Sequence, residues 1–144
     1  VHRLLEVFPP VVPRWPPKFA VLPVEWAEGE EERWNGIVDA VRSSDLFRRL
    51  CSSRLVGTEV PMLGFHGGRA VEDRADLVVG APDGEGAPGE HWVVDYKTGA
   101  REPDQEGQHL LQVREYRVIL SRAWGAPVRG FLWYVESGEA VEVT

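Results

Sequence analysis

The sequence predicts an α/β fold in which a mixed central β-sheet is flanked by helices. Three observations predict it. Helical segments come first, three consecutive strand segments follow, and a long helix then separates these strands from two more. Consecutive strands tend to pair antiparallel, whereas a strand reached through a crossover helix pairs parallel, so the sheet should be mixed. A chain of 144 residues has room for one such domain with one sizeable core.

The N-terminal part is predicted to be helical apart from a proline-rich arm. Residues 1–8 read as the end of a helix, whereas residues 9–23 hold six prolines and cannot form regular helix. Apolar residues recur at helical spacing over 30–41. The break Ser43-Ser44-Asp45 offers an N-cap for a short helix over 46–51. Because the chain opens without methionine, we expect it to be a fragment of a longer protein.

The remainder alternates strands with loops rich in glycine. Gly64, Gly67 and Gly68 predict a turn between the first two strands, and the stretch 80–90, rich in Gly, Pro and Asp, predicts the next loop. The long helix is predicted over 105–123. The strands are predicted over 55–62, 69–79, 91–97, 128–135 and 140–143.

Composition narrows the class of protein. The chain is 43% hydrophobic and 27% charged, contains no apolar run long enough to span a membrane and shows no signal peptide, so we expect a soluble, cytoplasmic protein without a membrane partner. The single cysteine, Cys51, excludes an internal disulfide and suits a reducing compartment. A net charge of −7 is unusual for a protein that holds DNA unaided, since affinity for duplexes comes from contacts of Lys and Arg with phosphates.

The stretch 91–99 carries the clearest functional signal. It reads as a buried strand that ends in Asp95, Tyr96 and Lys97. Because side chains alternate along a strand, Asp95 and Lys97 share one face and Tyr96 takes the other. Asp76 stands just before another apolar run, so a second carboxylate is carried by a second core strand. Carboxylates on adjacent strands suit Mg²⁺ or Mn²⁺, and a lysine beside them can orient an attacking water.

A D-x-K triplet alone is often only an exposed ion pair, so the order of the other motifs matters. His2 precedes Leu4-Leu5-Glu6, Glu59 opens the first core strand, and Asp76 and the Asp95-Tyr96-Lys97-Thr98-Gly99 run follow. Gln112 and Tyr116, four apart on the long helix, share a helix face. This ordered set resembles the PD-(D/E)XK nuclease superfamily, and within it the RecB-type domain at the C-terminus of RecB and AddA helicase–nucleases.

The resemblance implies a restriction-endonuclease-like core and a role for each motif. Asp76 and Asp95 would hold Mg²⁺ or Mn²⁺ together with His2 and the backbone carbonyl of Tyr96, and Lys97 would position the nucleophile. Glu59 would ligate metal through water or brace the site. Gln112 and Tyr116 would face the DNA backbone, unless they only pack.

One residue departs from the family pattern. Asp73 stands where the family usually has a glycine, and it could perturb the site or point outward. The resemblance also implies partners: a DNA strand or duplex end, the UvrD/RecB-like helicase region of the parent chain and a second helicase–nuclease subunit. Residues 1–144 would form one domain with an arm over 9–23.

The function implied is metal-dependent, exonuclease-type hydrolysis of DNA in recombinational repair. Two alternatives stay open. One is a catalytically silent DNA-binding or scaffolding domain of the same fold, which the complete set Asp76, Asp95 and Lys97 disfavours. The other is a restriction-type endonuclease, which the absence of an evident recognition insert disfavours.

Overall fold

The computed structural model describes residues 28–144. The predicted first helix, the proline-rich arm and His2 lie outside the described residues. The described part consists of helices α1 (Glu30–Ser43) and α2 (Asp45–Leu50), strands β1 (Leu55–His66), β2 (Arg69–Gly80) and β3 (His91–Lys97), helix α3 (Pro103–Trp124), and strands β4 (Val128–Tyr134) and β5 (Glu139–Val143).

The strands form one five-stranded sheet whose spatial order follows the chain, β1-β2-β3-β4-β5. β1 with β2, β2 with β3, and β4 with β5 pair antiparallel. β3 and β4, joined through α3, pair parallel in a register that sets Asp95 beside Leu132 and Lys97 beside Tyr134. The predicted mixed sheet with a helical crossover is therefore confirmed.

Each face of the sheet carries its own hydrophobic core. On one face α1 and α2 pack over Leu77, Val94 and the fully buried Trp92 and Trp133. On the other face α3 packs over β1 to β5 through its buried residues Val113, Tyr116, Ile119 and Leu120. Val93 belongs to this second core, so Asp95 and Lys97, which share its face, lie under α3.

Close contact between α3 and the sheet explains one error in the predicted boundaries. β1 extends to His66 rather than ending at Met62, and Gly64 lies inside it instead of in the turn. A Cβ atom at Gly64 would stand 2.9 Å from Ile119 Cγ1, so the glycine allows α3 to approach the strand. The turn itself contains Gly67 and Gly68, both with positive φ.

The short helix α2 begins at Asp45, one residue before the predicted start, and its cap also differs from the prediction. Ser44 occupies the N-cap position without a side-chain capping bond. Its hydroxyl instead donates to the carbonyl of Gly138 at 3.0 Å, which ties the α1–α2 junction to the loop before β5. Among residues 28–144, no helix is long and apolar enough to cross a membrane.

Candidate active site

The candidate site lies where β2 and β3 separate. Their paired residues run from Gly80–His91 to Leu77–Val94. The next positions in this register are Asp76 and Asp95, and there the side chain of Asp76 replaces the backbone ladder. Its Oδ2 accepts a hydrogen bond from the backbone N–H of Tyr96 at 2.6 Å. The two predicted carboxylates are thus brought together at the end of the buried part of the sheet.

The backbone of Tyr96 places its carbonyl on the same side of β3. In an extended strand the N–H and C=O of one residue point to the same edge, and those of its neighbours point to the opposite edge. The N–H of Tyr96 faces Asp76 on β2, whereas the carbonyl of Lys97 accepts from Val135 N at 3.1 Å on the β4 side. The Tyr96 carbonyl therefore faces the gap between β2 and β3, as a metal-ligating carbonyl requires.

Asp95 and Lys97 form an ion pair on the α3 face. Lys97 Nζ lies 2.8 Å from Asp95 Oδ2. Asp95 is only 4% exposed, so it needs a neutralising partner, and Lys97 supplies one. The prediction that alternation would set these two side chains next to each other is confirmed by this contact.

Asp76 is electrostatically the most perturbed carboxylate of the site. Burial raises its pKa to about 7, and the nearby charges of Asp95 and Glu59 add to the effect. The hydrogen bond from Tyr96 N–H and the charge of Lys97 oppose this rise. Two or three carboxylates held this close repel each other, and a bound cation would relieve that repulsion.

Glu59 lies opposite Asp76 on β1, between the pairs Thr58–Leu77 and Val60–Ala75. It has φ of 48°, a left-handed conformation that costs a non-glycine residue roughly 1–2 kcal/mol. On β2, Ala75 and Val78 both belong to the core under α3, although strict alternation would place residues three apart on opposite faces of the sheet. The regular alternation of side chains is therefore interrupted between them, beside the Glu59–Asp76 position of the candidate site.

Helix α3 contributes a hydrogen-bonded chain of side chains to the site. Lys97 Nζ donates to Gln112 Oε1 at 3.4 Å, and Gln112 Nε2 donates to Asp73 Oδ2 at 3.2 Å. Tyr116 also hydrogen-bonds Asp73. Burial together with this carboxylate raises the pKa of Tyr116, so its hydroxyl stays protonated and donates. Gln112 and Tyr116 do share a face, as predicted, and that face contacts Lys97 and Asp73.

Asp73 does not simply point outward, because its carboxylate accepts a hydrogen bond from Gln112, whose amide oxygen in turn contacts Lys97 of the site. Its side chain faces α3. Burial by itself would raise the pKa of Asp73, but hydrogen bonds from the backbone N–H of Arg74, from Gln112 and from Tyr116 outweigh burial and lower it. Asp73 is thus an ionised acceptor for three donors.

His109 is a neighbour of the site that the sequence analysis did not assign. It lies one helical turn before Gln112 on α3, and its pKa is lowered by burial and by the charge of Lys97, with Asp95 acting in the opposite direction. The spacing of three residues between His109 and Gln112 places both on one face of α3. The sequence alone did not show that this face meets Lys97, so the spacing did not assign His109 to the site.

The donor set fits a hard divalent cation. Within residues 28–144 no three His, Cys, Asp or Glu side chains form a cluster that could hold a metal by themselves. Mg²⁺, however, binds through one or two carboxylates and keeps several waters, so Asp76, Asp95 and the Tyr96 carbonyl suffice for it. His2 would add a nitrogen ligand and favour Mn²⁺, but it lies outside the described residues, so its role stays a prediction.

Comparison with known proteins identifies the class. The model of the PD-(D/E)XK nuclease superfamily matches residues 2–143, and the chain belongs to this superfamily. Among solved structures, it is similar to a candidate exonuclease from Eubacterium rectale, with a TM-score of 0.54 and 17% sequence identity. The match covers 79% of this chain and 45% of that one, so this chain spans less than half of the length of that relative. No curated protein matches the sequence.

The fold is therefore restriction-endonuclease-like, and the superfamily to which the chain belongs is a superfamily of nucleases. Its members generally use divalent metals.

Proposed function

We propose that the chain is a RecB-type nuclease domain that hydrolyses DNA phosphodiester bonds with bound Mg²⁺ or Mn²⁺. The observation that carries the proposal is the convergence of Asp76 and Asp95 across the separating strands β2 and β3, with Lys97 Nζ 2.8 Å from Asp95. A buried ion pair placed only for stability would not need a second carboxylate with a pKa raised to about 7 beside it.

Asp76, Asp95 and the Tyr96 carbonyl would hold the cation, with His2 as a further ligand. A bound divalent cation lowers the pKa of a coordinated water and neutralises charge that develops on the phosphate. The chain itself contributes geometry. The hydrogen bond from Tyr96 N–H fixes Asp76 in the gap between the strands. Glu59, opposite Asp76 on β1, adds a further negative charge that the cation would offset.

Lys97 would position the attacking water. Its ammonium lies between Asp95 and Gln112 and carries three N–H donors, so a proton not donated to Gln112 can be donated to a nucleophile or to a phosphate oxygen. The side chain of Lys97 is 22% exposed, so it is accessible from solvent.

The substrate proposed is a DNA end delivered by a partner. Basic side chains near the motifs are few, and most are already engaged: Arg69 with Glu115, Arg101 with Glu106, and Arg117 with the carbonyls of Val128 and Val143. Weak intrinsic affinity suits a domain tethered to a helicase that feeds it a strand, because tethering raises local concentration without new contacts. The role proposed is therefore recombinational repair, in a UvrD/RecB-like helicase–nuclease with a second subunit.

The test is cleavage of labelled DNA by the purified chain. Linear single- and double-stranded DNA, labelled at one end, and circular single strands are incubated with Mg²⁺, Mn²⁺ or EDTA. We expect metal-dependent release of short products from linear DNA and little loss of circles. Asp95→Asn is the inactive control. Cleavage that persists in EDTA or in Asp95→Asn would contradict the proposal, and equal cleavage of circles would favour the endonuclease alternative.

A further inference from the structure

Asp73 is an acidic side chain beside the candidate site that no motif assigns. It lies on β2 opposite Met62 of β1, a buried member of the core under α3. Its Oδ1 accepts from the backbone N–H of Arg74 at 2.8 Å, and its Oδ2 accepts from Gln112 Nε2 at 3.2 Å. Tyr116 supplies a third hydrogen bond. Each of these three partners is a donor.

This arrangement decides how the amide of Gln112 is turned. An ionised carboxylate can only accept hydrogen bonds, so the –NH₂ group of Gln112 must face Asp73. The amide oxygen then faces the opposite way, towards Lys97 Nζ at 3.4 Å. Lys97 Nζ therefore lies between Asp95 Oδ2, its ion-pair partner at 2.8 Å, and Gln112 Oε1, which accepts a hydrogen bond from it.

We propose that Asp73 is a positioning residue for Lys97, acting through the amide of Gln112. The inference rests on the proposed nuclease function, and it gives Gln112 and Tyr116 a role in ordering the lysine in place of direct contact with DNA. Asp73 does not touch the reacting atoms. It fixes the orientation of the Gln112 amide, so that the amide oxygen faces Lys97.

Asp73→Asn tests the direction of the hydrogen bonds that link Asp73 to Lys97 through Gln112, and it barely changes the shape of the side chain. Because the N–H of Arg74 must meet an oxygen, the introduced asparagine turns its own –NH₂ towards Gln112. Gln112 must then present its oxygen to that –NH₂ group and its own –NH₂ to Lys97, where two donors repel. We expect kcat to fall about tenfold or more, since loss of orientation at a reacting group is costly, while KM changes little.

A second substitution should reverse the effect. Gln112→Glu alone sets a carboxylate against Asp73 and should also lower kcat. In the double variant Asp73→Asn/Gln112→Glu, the introduced asparagine donates to the introduced carboxylate, whose other oxygen accepts from Lys97. We expect kcat of the double variant to return to within about threefold of the wild type, a non-additive result that contacting groups produce. Asp83→Asn, an exposed change on the loop before β3, is the matched control.

A readout independent of activity is available because Lys18 and Lys97 are the only lysines of the chain. Pulse acylation followed by mass spectrometry measures the reactivity of Lys97 with Lys18 as internal reference. Asp73→Asn should raise the relative labelling of Lys97, and the double variant should restore it. Failure of the wild type to cut DNA would remove the proposed function, and labelling alone would then decide the inference.

Three outcomes would overturn the inference. The first is Asp73→Asn with unchanged kcat and unchanged Lys97 labelling. The second is a double variant no better than the worse single variant. The third is a loss, in Asp73→Asn, of the thermal stabilisation by Mn²⁺, which would make Asp73 a metal ligand.

Discussion

The carboxylate of Asp76 accepts the backbone N–H of Tyr96 at 2.6 Å, at the point where β2 and β3 cease to pair. One side chain thereby occupies the place of a ladder hydrogen bond and holds the strands apart. The same contact turns the Tyr96 carbonyl into the gap beside Asp76. The proposed metal site lies at this local departure from regular sheet pairing.

The raised pKa of Asp76 predicts how stability of the metal-free protein depends on pH. The group titrates near 7 when folded and at its ordinary value of 3.8 when unfolded, so the folded state holds the proton more tightly. Its contribution is fully present below about pH 4 and is lost as pH rises through 7. Asp76→Asn keeps an oxygen for Tyr96 N–H and removes the charge.

Denaturant unfolding in EDTA between pH 4 and 8 measures this difference. We expect Asp76→Asn to exceed the wild type in stability at pH 8 by roughly 2–4 kcal/mol, because a tenfold change in proton affinity corresponds to about 1.4 kcal/mol, and the advantage should vanish near pH 4. Parallel curves for the two proteins would show that the pKa of Asp76 is not perturbed.

Divalent metal should stabilise the folded chain by mass action, because the unfolded chain has no assembled site. Thermal unfolding with and without Mn²⁺ should show an upward shift that is absent in Asp76→Asn/Asp95→Asn. His2→Ala should reduce the Mn²⁺ shift more than the Mg²⁺ shift, since imidazole suits Mn²⁺ better. A full shift in the double variant would place the metal elsewhere, and equal losses for both metals would remove His2 from the ligand set.

Lys97→Met should lower cleavage by about 10² or more, because it keeps the aliphatic stem and removes the ammonium that we propose orders the nucleophile. It also leaves Asp95 buried without its cation, so the metal-free variant should melt earlier than the wild type. Assays are therefore run with saturating metal well below the melting temperature. Circular dichroism checks the fold, and Arg101→Met is the control. Wild-type rates in Lys97→Met would exclude this lysine from the reaction.

Packing of α3 on the sheet can be tested with a pair of glycines. A Cβ atom at Gly130 on β4 would lie 2.6 Å from Val113 Cγ1 and 2.9 Å from Arg117 Cδ, so Gly130→Ala should destabilise the fold by roughly 1–3 kcal/mol. Gly107, inside α3, has no heavy atom within 4 Å of such a Cβ. Gly107→Ala should therefore stabilise by about 1 kcal/mol through helix propensity. Urea unfolding measures the free energy of unfolding of both variants. A change of the same sign in the two variants would contradict the packing described.

The isolated chain should bind DNA weakly and lose it readily in salt. Acidic residues outnumber basic ones by 23 to 16, and few cations near the site are available for phosphates. Each phosphate contact contributes through counterion release, so few contacts give low affinity and a shallow salt slope. Titration of short DNA in Ca²⁺ over a range of salt measures both. Nanomolar affinity near physiological salt, or preference for one sequence, would favour the restriction-type alternative.

Residue order alone was enough to predict the class of fold. Period-2 patterns, glycine-rich turns and one long amphipathic segment are local signals, and the rule that a helix crosses over to a parallel strand converts them into a mixed sheet. The same alternation set Asp95 and Lys97 side by side, because that pairing depends only on their spacing along one strand. The superfamily motifs could also be recognised, because they too depend only on the order and spacing of residues along the chain.

Relations between elements were decided by tertiary structure. The sequence showed that Gln112 and Tyr116 share a helix face but not that this face meets Lys97 and Asp73, and it gave His109 no role. Both facts depend on how α3 is rotated over the sheet, which is set by packing of Val113, Ile119 and Leu120 on five strands at once. The left-handed backbone conformation of Glu59 was equally unpredictable, since no neighbouring residue in the sequence indicates it. Local spacing determines which side chains share a face, whereas long-range packing determines what that face touches.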